Sequence, residues 1–216
     1  MDNNQDNIVE VESTESLGNG TPAPKKSAGL RILAFFFDYL EIFAISIITV
    51  LIIFTFCFRL CRVTGDSMNK TLFDGELLVT SDLFYEPEQN DIIVFHLSNN
   101  YYKESIVKRV IALEGQTVEI NFTKGEVKVN GVLMDDSFVY LDDGSYDVRY
   151  DFNQNFIDTD GDEVIFRATV PEGKIFVMGD NRNGSSDSRS SRIGFVDKDC
   201  VIGKALFRIS PFTTFD

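Results

Sequence analysis

The feature that most constrains this chain is an apolar run near its N-terminus. Seventeen consecutive residues, Ile42–Phe58, carry no charge. As a helix they would cover roughly 25 Å, and Leu33–Leu40 would extend them toward the ~30 Å hydrocarbon core of a bilayer. Isoleucine, phenylalanine and valine lie on every face, which disfavours a buried helix of a soluble protein. The run therefore predicts one membrane-spanning helix.

A cleaved secretory signal peptide is the alternative interpretation of this run. The run is too long for that, and the sequence that follows it, RLCRVTGD, has no Ala-x-Ala-like cleavage site. We therefore expect an uncleaved anchor with its flanks in residues 29–62. Three basic residues precede the span closely and three follow it, so charge does not decide its orientation.

The sequence on either side of the anchor differs in character. Residues 1–28 are rich in Asp, Asn, Glu, Ser, Gly and Pro, which predicts a disordered tail. Residues 63–216 are long enough for one domain. The formal net charge of the chain is −14, which argues against a nucleic-acid partner because phosphate binding needs clustered Lys and Arg.

Beyond the anchor, short runs of β-forming residues alternate with Gly, Asn and Asp turn signals. This pattern predicts a mostly β domain, built as antiparallel sheets or a partly closed barrel. The runs are ELLVTSDL, DIIVFHL, SIVKRVIAL, TVEI, EVKVNGVLM, EVIFRATV, KIFVM and VIGKALFRI.

Neither the acidic segment nor the cysteines predict a metal site. The segment Asp142–Glu163 contains DTDGDE, but the glycine and the last ligand of a calcium loop are misplaced, so we expect a solvated surface excursion. Cys57, Cys61 and Cys200 lack metal-ligand spacing. Only Cys61 and Cys200 could pair within one molecule, and the sequence does not decide whether they do.

A serine in the polar stretch VTGDSMNKTL, Ser67, is a candidate nucleophile. His96 is the single histidine, and it ends a predicted strand where it is more simply an exposed or hydrogen-bonded residue. Gly65 fits the first glycine of G-x-S-x-G, but Asn69 occupies the second glycine's position. A histidine-dependent triad is therefore disfavoured, which leaves lysine as the base.

Burial can lower a lysine pKa from about 10.4 by several units, so a lysine base should lie in an apolar strand. SIVKRVIAL offers Lys108, and also Arg109, which is flanked equally well. Periodicity does not choose between them, but only the lysine can lose its proton near neutral pH. Ser105 and Lys108 also form S-x-x-K, but residues three apart in a strand point to opposite faces.

A third segment, GDNRNGSSDSR at residues 179–189, follows the apolar strand KIFVM. It is dense in hydrogen-bonding groups. Asp187 and Arg189 could pair and rigidify the loop, while Ser185 could hydrogen-bond a neutral lysine. Taken alone, the segment also fits an ordinary Gly/Ser-rich turn.

Together the three segments resemble the type I signal peptidases, which are membrane-anchored Ser-Lys proteases. GDSM at 65–68 resembles their nucleophile box, KRVIALEG at 108–115 their general-base box, and FVMGDNRNGSSDSR at 176–189 their most distinctive box. GFV at 194–196 and VIGKALFRI at 201–209 resemble their closing strands.

The resemblance implies a β-rich signal-peptidase-like domain that cleaves signal peptides from preproteins after small residues. It also implies a cytoplasmic N-terminus in the cell membrane, an extracytoplasmic domain, and no metal or cofactor; we expect a monomer. Carried over by position, Ser67 would be the nucleophile and Lys108 the general base, and the Ser67 N–H would help form the oxyanion hole. Ser185 would orient the lysine, with Asp187 and Arg189 buttressing the site.

The chain departs from the family pattern at turn positions. Gly65 replaces the serine that some relatives use as a second oxyanion donor, so that side-chain donation is absent. Lys70 replaces a usual proline, and Glu114 and Gln116 replace the usual Pro and Asp. We expect altered loop stiffness rather than lost chemistry, with Lys70 facing solvent.

Two other functions share parts of this pattern. A self-cleaving regulator with the same Ser-Lys fold would need an N-terminal DNA-binding domain, which the span and the acidic tail do not provide. A membrane-anchored binding module would use the three boxes only structurally, and it would lose nothing when Ser67 is replaced by alanine.

Overall fold

The computed structural model describes residues 28–141, 146–149 and 151–215. The predicted disordered tail therefore lies outside the described residues, apart from Ala28. The chain divides into two compact units, residues 1–48 and residues 49–216.

The apolar run forms one long helix, α1, Ala28–Cys57. Its segment Phe35–Cys57 is long and apolar enough, by length and composition, to cross a membrane, and its most apolar stretch has no buried residue. At 1.5 Å per residue the 23-residue segment is about 35 Å long. The helix is thus consistent with the predicted transmembrane anchor.

The chain beyond the helix is mostly β, as predicted. The strands are β1 Arg59–Arg62, β2 Leu77–Ser81, β3 Ile92–Ser98, β4 Lys103–Ala112, β5 Thr117–Asn121, β6 Glu126–Val129, β7 Val132–Leu133, β8 Ile157–Asp160, β9 Glu163–Thr169, β10 Lys174–Met178, β11 Val196–Asp197, β12 Val201–Arg208 and β13 Thr213–Thr214. Two short 3₁₀ helices, Gln154–Phe156 and Lys198–Cys200, complete the elements.

All pairings between these strands are antiparallel, and they form two sheets. The larger has the order β1-β2-β12-β3-β4-β10-β11, with β13 on β12, and the smaller has the order β7-β6-β5-β9-β8. Within the described residues neither sheet closes on itself. The antiparallel-sheet alternative of the prediction is therefore confirmed, and the barrel alternative is not found.

Strand β10 is buried on both faces, which explains its unbroken apolar sequence KIFVM. Ile175 and Val177 pack in one core cluster, while Phe176 and Met178 pack in a second cluster beneath the smaller sheet. A strand fixed on both faces is a rigid base for the polar segment that follows it.

The acidic segment Asp142–Glu163 is largely exposed or half-buried in its described part, but the expectation of a solvated excursion was wrong for Tyr146, Asp151 and Phe152, which are buried. Asp151 is buried and forms an ion pair with Arg149 at 3.0 Å. Phe152 is buried and stacks on Phe122 with ring centroids 5.7 Å apart. The sequence pattern missed this packing because the burying contacts come from distant strands.

Candidate active site

Ser67 lies in the serine turn, residues 65–71, between β1 and β2. The turn is fixed from below by Met68 and by Leu72, which follows it, because both side chains are almost completely buried in a small apolar cluster. The Gly65 N–H donates to Asp74 Oδ1 at 2.7 Å. The side chain of Ser67 is half-buried and points into an open cleft.

Lys108 lies in the middle of β4 and is only 3% exposed. Its Nζ is 2.6 Å from Ser67 Oγ and donates to the Val107 carbonyl at 3.1 Å. Arg109, the neighbour that periodicity left equally eligible, binds Asp180 instead. The structure thus brings Ser67 and Lys108 together.

Burial lowers the pKa of Lys108 from 10.5 to about 8. Loss of solvent is the largest cause, since it penalises the charged ammonium. Asp187 and Asp180 oppose the shift because their negative charges favour the protonated form, while Arg189 adds to it. A substantial fraction of the Lys108 side chains is therefore neutral near pH 8.

Asp187 and Arg189 form a buried, bidentate ion pair in the polar loop, residues 179–189. Arg189 Nε and Nη2 each donate to the Asp187 carboxylate at 2.9 Å, and both side chains are fully buried. Asp187 also accepts from the Gly179 N–H at 3.1 Å. The ion pair and the bond to Gly179 together fix the end of the loop to its start. The pairing of Asp187 with Arg189 is the one that the sequence predicted.

Ser185 is fully buried in the same loop. Its hydroxyl makes no hydrogen bond of standard geometry, although it lies close enough to Asp187 to help lower the pKa of that carboxyl. The partners of Lys108 Nζ are Ser67 and Val107 rather than Ser185. The orienting role of Ser185 therefore stays a prediction.

The polar loop holds the serine turn by its backbone. The Asn181 N–H donates to the Ser67 carbonyl at 3.1 Å, and Asn181 Nδ2 donates to the Asp66 carbonyl at 3.2 Å. Gly179 packs so closely that a Cβ there would overlap the Ser67 carbonyl oxygen and the Ser185 hydroxyl. Glycine is required at this position by close approach rather than by a left-handed backbone.

A second buried ion pair near the site was missed by the sequence analysis. Arg109 Nε and Nη2 donate to Asp180 at 2.8 and 2.7 Å, and the Thr71 hydroxyl donates to the same carboxylate at 2.5 Å. The group links β4, the polar loop and the serine turn. The sequence signal for this ion pair was that Arg109 directly follows Lys108 in a strand. Neighbouring strand residues point to opposite faces, so Arg109 had to find its partner on the face away from Lys108 Nζ.

The residues set aside by the sequence analysis lie elsewhere or make other contacts. His96 is exposed, and the three cysteines are free. The described residues contain no group of three potential metal ligands among His, Cys, Asp and Glu. Lys70 is exposed, as expected.

The two changed positions of the 113–116 turn make local contacts of their own. Gln116 Oε1 accepts from the Leu113 N–H at 2.7 Å, and Glu114 Oε2 accepts from the Gly173 N–H at 2.7 Å. Through these hydrogen bonds Gln116 and Glu114 hold the turn at the two positions where the family usually has Asp and Pro.

A cleft of about 420 Å³ opens over the Ser67–Lys108 contact. One wall is the segment 62–64 at the end of β1, and the other is β4 from Glu104 to Lys108. Among the described strands, residues 103–108 of β4 pair with β3 alone, because β10 pairs with β4 from Arg109 onward. One strand edge beside the serine is therefore open.

This geometry agrees with a comparison against known families. Residues 36–210 match the family model described as signal peptidase, peptidase S26. The chain belongs to this signal peptidase family. Membership supports a peptidase function in the removal of signal peptides.

Individual relatives cover most of the chain. Signal peptidase IB of Staphylococcus aureus is 30% identical over 180 residues, which cover 80% of this chain and 88% of the relative. A probable signal peptidase I-1 of Synechocystis is 37% identical over 158 residues, 69% of each chain. A crystal structure of a signal peptidase I from Enterococcus faecalis is 32% identical and covers 56% of this chain and 97% of its own, with a TM-score of 0.39.

Proposed function

We propose that this chain is a membrane-anchored serine endopeptidase that removes signal peptides from exported preproteins. Ser67 is the nucleophile and Lys108 the general base. The observation that carries the proposal is the 2.6 Å contact between Ser67 Oγ and the Nζ of a lysine that is almost fully buried. A buried amine at hydrogen-bond distance from a hydroxyl is the arrangement that activates a serine without histidine.

Acylation begins with Lys108 neutral. The Ser67 hydroxyl then donates its hydrogen bond to the Nζ lone pair, and Nζ takes the proton as Oγ attacks the scissile carbonyl carbon. When the C–N bond breaks, the Lys108 ammonium returns the proton to the leaving amine. A water molecule, deprotonated by Lys108 in the same way, then attacks the acyl carbon. As the C–O bond to Ser67 breaks, the Lys108 ammonium returns the proton to Ser67 Oγ, which restores the hydroxyl and the neutral lysine.

The Ser67 N–H supplies one donor for the oxyanion of the tetrahedral intermediate. No group in the described part of the chain accepts a hydrogen bond from it, so it is available to a ligand. Gly65 offers no side-chain donor. A backbone donor fixed by the surrounding turn stabilises developing charge without reorganising during the reaction.

The substrate binds as an extended strand in the cleft. The open edge of β4 and the edge strand β1, which pairs only with β2, both present backbone groups to such a peptide. The family resemblance supports cleavage after small side chains. Ser185, Asp187 and Arg189 act as supporting residues that hold the loop against Lys108 and Ser67.

Residues 29–62 contain the membrane anchor, and residues 63–216 work outside the cytoplasm, where signal peptides emerge from the membrane. The length and apolar surface of α1 support the anchor. Protease added to intact, wall-free cells should cut the domain. Cleavage that appears only after lysis would reverse this orientation.

The direct test of the function is the processing of a signal-peptide-bearing preprotein in detergent micelles, followed on a gel. The full chain should convert the precursor to the mature form, and Ser67→Ala should not, while Ser137→Ala, which changes an exposed serine, should process like the wild type. A binding module would lose no function with Ser67→Ala. Retention of more than a few per cent of turnover by Ser67→Ala would refute the assignment.

A further inference from the structure

The cleft extends past the catalytic pair to the β3–β4 hairpin. At that end its lining includes Tyr102, Ser186, Ile106 and Ile193, in addition to the residues beside Ser67. Tyr102 and Ile106 pack against the same apolar cluster as Ile193. This part of the cleft therefore has an aromatic and aliphatic surface that the Ser67–Lys108 chemistry does not use.

The position of the Tyr102 ring is fixed by contacts from two segments. Asn99 Oδ1 accepts from the N–H groups of Tyr101 and Tyr102, both at 2.8 Å, and Asn99 Nδ2 donates to the Arg192 carbonyl at 3.0 Å. The Tyr102 hydroxyl donates to Ser186 Oγ at 3.0 Å. The ring is thus held between the hairpin and the polar loop rather than free to swing away.

We propose that Tyr102 is a specificity-determining residue whose ring limits the size of the substrate side chain that lies at the hairpin end of the cleft. The inference rests on the proposed function, since it assigns a role on the substrate of that same site. A ring that is packed on one side and hydrogen-bonded at its tip is a rigid wall. A bulky substrate side chain would have to displace it, whereas a small one would not.

The distance along β4 limits which substrate positions can meet the ring. Six residues separate Tyr102 from Lys108, which is about 20 Å of extended strand. An extended peptide covers that distance in about six residues, so the contacting side chain lies within six positions of the cleaved bond. A scan of those positions on both sides of the bond therefore includes it.

The test uses the full chain and a set of peptides in which each of these positions carries either Ala or Leu. At one position the wild type should cleave the Leu peptide less efficiently than the Ala peptide. Tyr102→Ala should raise kcat/KM for that Leu peptide about tenfold relative to the Ala peptide, mainly through KM, as expected for a change in pocket size. Tyr101→Ala removes an exposed neighbouring ring outside the cleft and should leave the profile unchanged.

A second variant separates the ring from its hydroxyl. Tyr102→Phe keeps the ring and its packing but loses the bond to Ser186, so its Ala/Leu preference should lie much closer to that of the wild type than to that of Tyr102→Ala. An unchanged profile in Tyr102→Ala would overturn the proposal, and so would an equal change in Tyr102→Phe, which would assign the effect to the polar loop. If the wild type cleaves none of the peptides or preproteins, the proposed function fails instead.

Discussion

A lysine can act as a base only if it loses its proton near neutral pH, and the surroundings of Lys108 provide this. Its ammonium would be buried next to a serine and a carbonyl, and it contacts no carboxylate among the described residues. Three carboxylates oppose the lowering of its pKa, and Glu104 has the smallest effect of the three. The other two are each bound by an arginine: Asp187 by Arg189, and Asp180 by Arg109. Each arginine thus offsets the negative charge of its carboxylate partner, which would otherwise favour the protonated form of Lys108.

The pH dependence of catalysis should report this lysine. With a pKa of about 8, about one tenth of the Lys108 side chains are neutral at pH 7 and roughly half at pH 8. We expect kcat/KM on a peptide to rise about tenfold per pH unit below this value and to level off above it. His96→Ala should leave this rise of kcat/KM with pH unchanged. Loss of the rise in this variant would contradict its assignment to Lys108.

The same pKa shift has a consequence for stability with a definite sign. Because the folded protein binds the Lys108 proton more weakly than the unfolded chain does, protonation of this group favours unfolding below pH 8. The contribution of Lys108 to the free energy of unfolding should therefore increase as pH rises from 8 to 10.5. Relative to Lys108→Met, the wild type should gain stability over that interval in denaturant titrations.

Among the structural elements, the polar loop is the one on which the geometry of the site depends. It follows a strand buried on both faces, is closed by an internal ion pair, and contacts the Ser67 backbone through Asn181 and Gly179. Its many polar groups are therefore used in holding one short turn at a fixed place beside Lys108.

Gly179→Ala tests this dependence. The added methyl group would overlap the Ser67 carbonyl and the Ser185 hydroxyl, so the serine turn must shift. We expect kcat/KM on a peptide to fall by about 100-fold or more, since small misplacements of reacting groups have effects of that size. Thermal unfolding should show that the variant remains folded.

Gly161→Ala provides the control for that substitution. It lies at the turn between β8 and β9, where φ is +62° and no atom lies within 4 Å of the added group. It should cost about 1–2 kcal/mol of stability, because alanine is strained in a left-handed backbone, and leave kcat/KM unchanged. Full activity of Gly179→Ala would show that its contact does not position Ser67.

The sequence predicted the longer runs of β-forming residues and missed four strands of two to four residues. All eight runs of β-forming residues contain a strand, because alternation and turn residues are local properties. Strand β1, Arg59–Arg62, was assigned to the flank of the anchor, since RLCR resembles a strand only once it pairs with β2. Strand β8 also has four residues, and β11 and β13 have two each, so these sequences are too polar or too brief to give a periodic signal.

The same distinction holds for the site. The sequence predicted Ser67 and Lys108 from the need for a nucleophile and a neutral base, and it predicted that Asp187 and Arg189 could pair within one loop. The structure brings each of these two pairs into contact, while their roles stay predictions. Arg109 and Asp180 form a pair between residues 71 positions apart, and Tyr102 meets Ser186 across 84 positions. No local pattern contains such contacts, so only the folded structure shows them.

The protein as a whole combines an exposed apolar helix with a β domain that contains the entire candidate site. An anchor confines enzyme and substrate to one surface and raises their effective concentration without adding a contact. The candidate site residues all follow β1, so we expect the chemical step to proceed without the anchor.

Deleting residues 1–58 should separate these two contributions, because it removes the helix and retains β1. On a short soluble peptide we expect kcat/KM close to that of the full chain. A preprotein in lipid vesicles should be processed at least about tenfold more slowly, as loss of a shared surface predicts. Deletion of residues 1–62 should be worse on both substrates because it also removes β1, which pairs with β2 and contributes Arg62 to the cleft wall. Equal processing by the full chain and the 1–58 deletion would contradict the role given to the anchor.

The measurement that tests the Ser-Lys mechanism most directly is peptide cleavage by Lys108→Arg beside Lys108→Met. Arginine keeps the positive charge and much of the side-chain length, but its guanidinium stays protonated in proteins and cannot accept a proton from Ser67. Both variants should fall to near-background rates while remaining folded. A Lys108→Arg variant that retains much of the wild-type rate would show that the residue acts only as a cation, and it would contradict the mechanism.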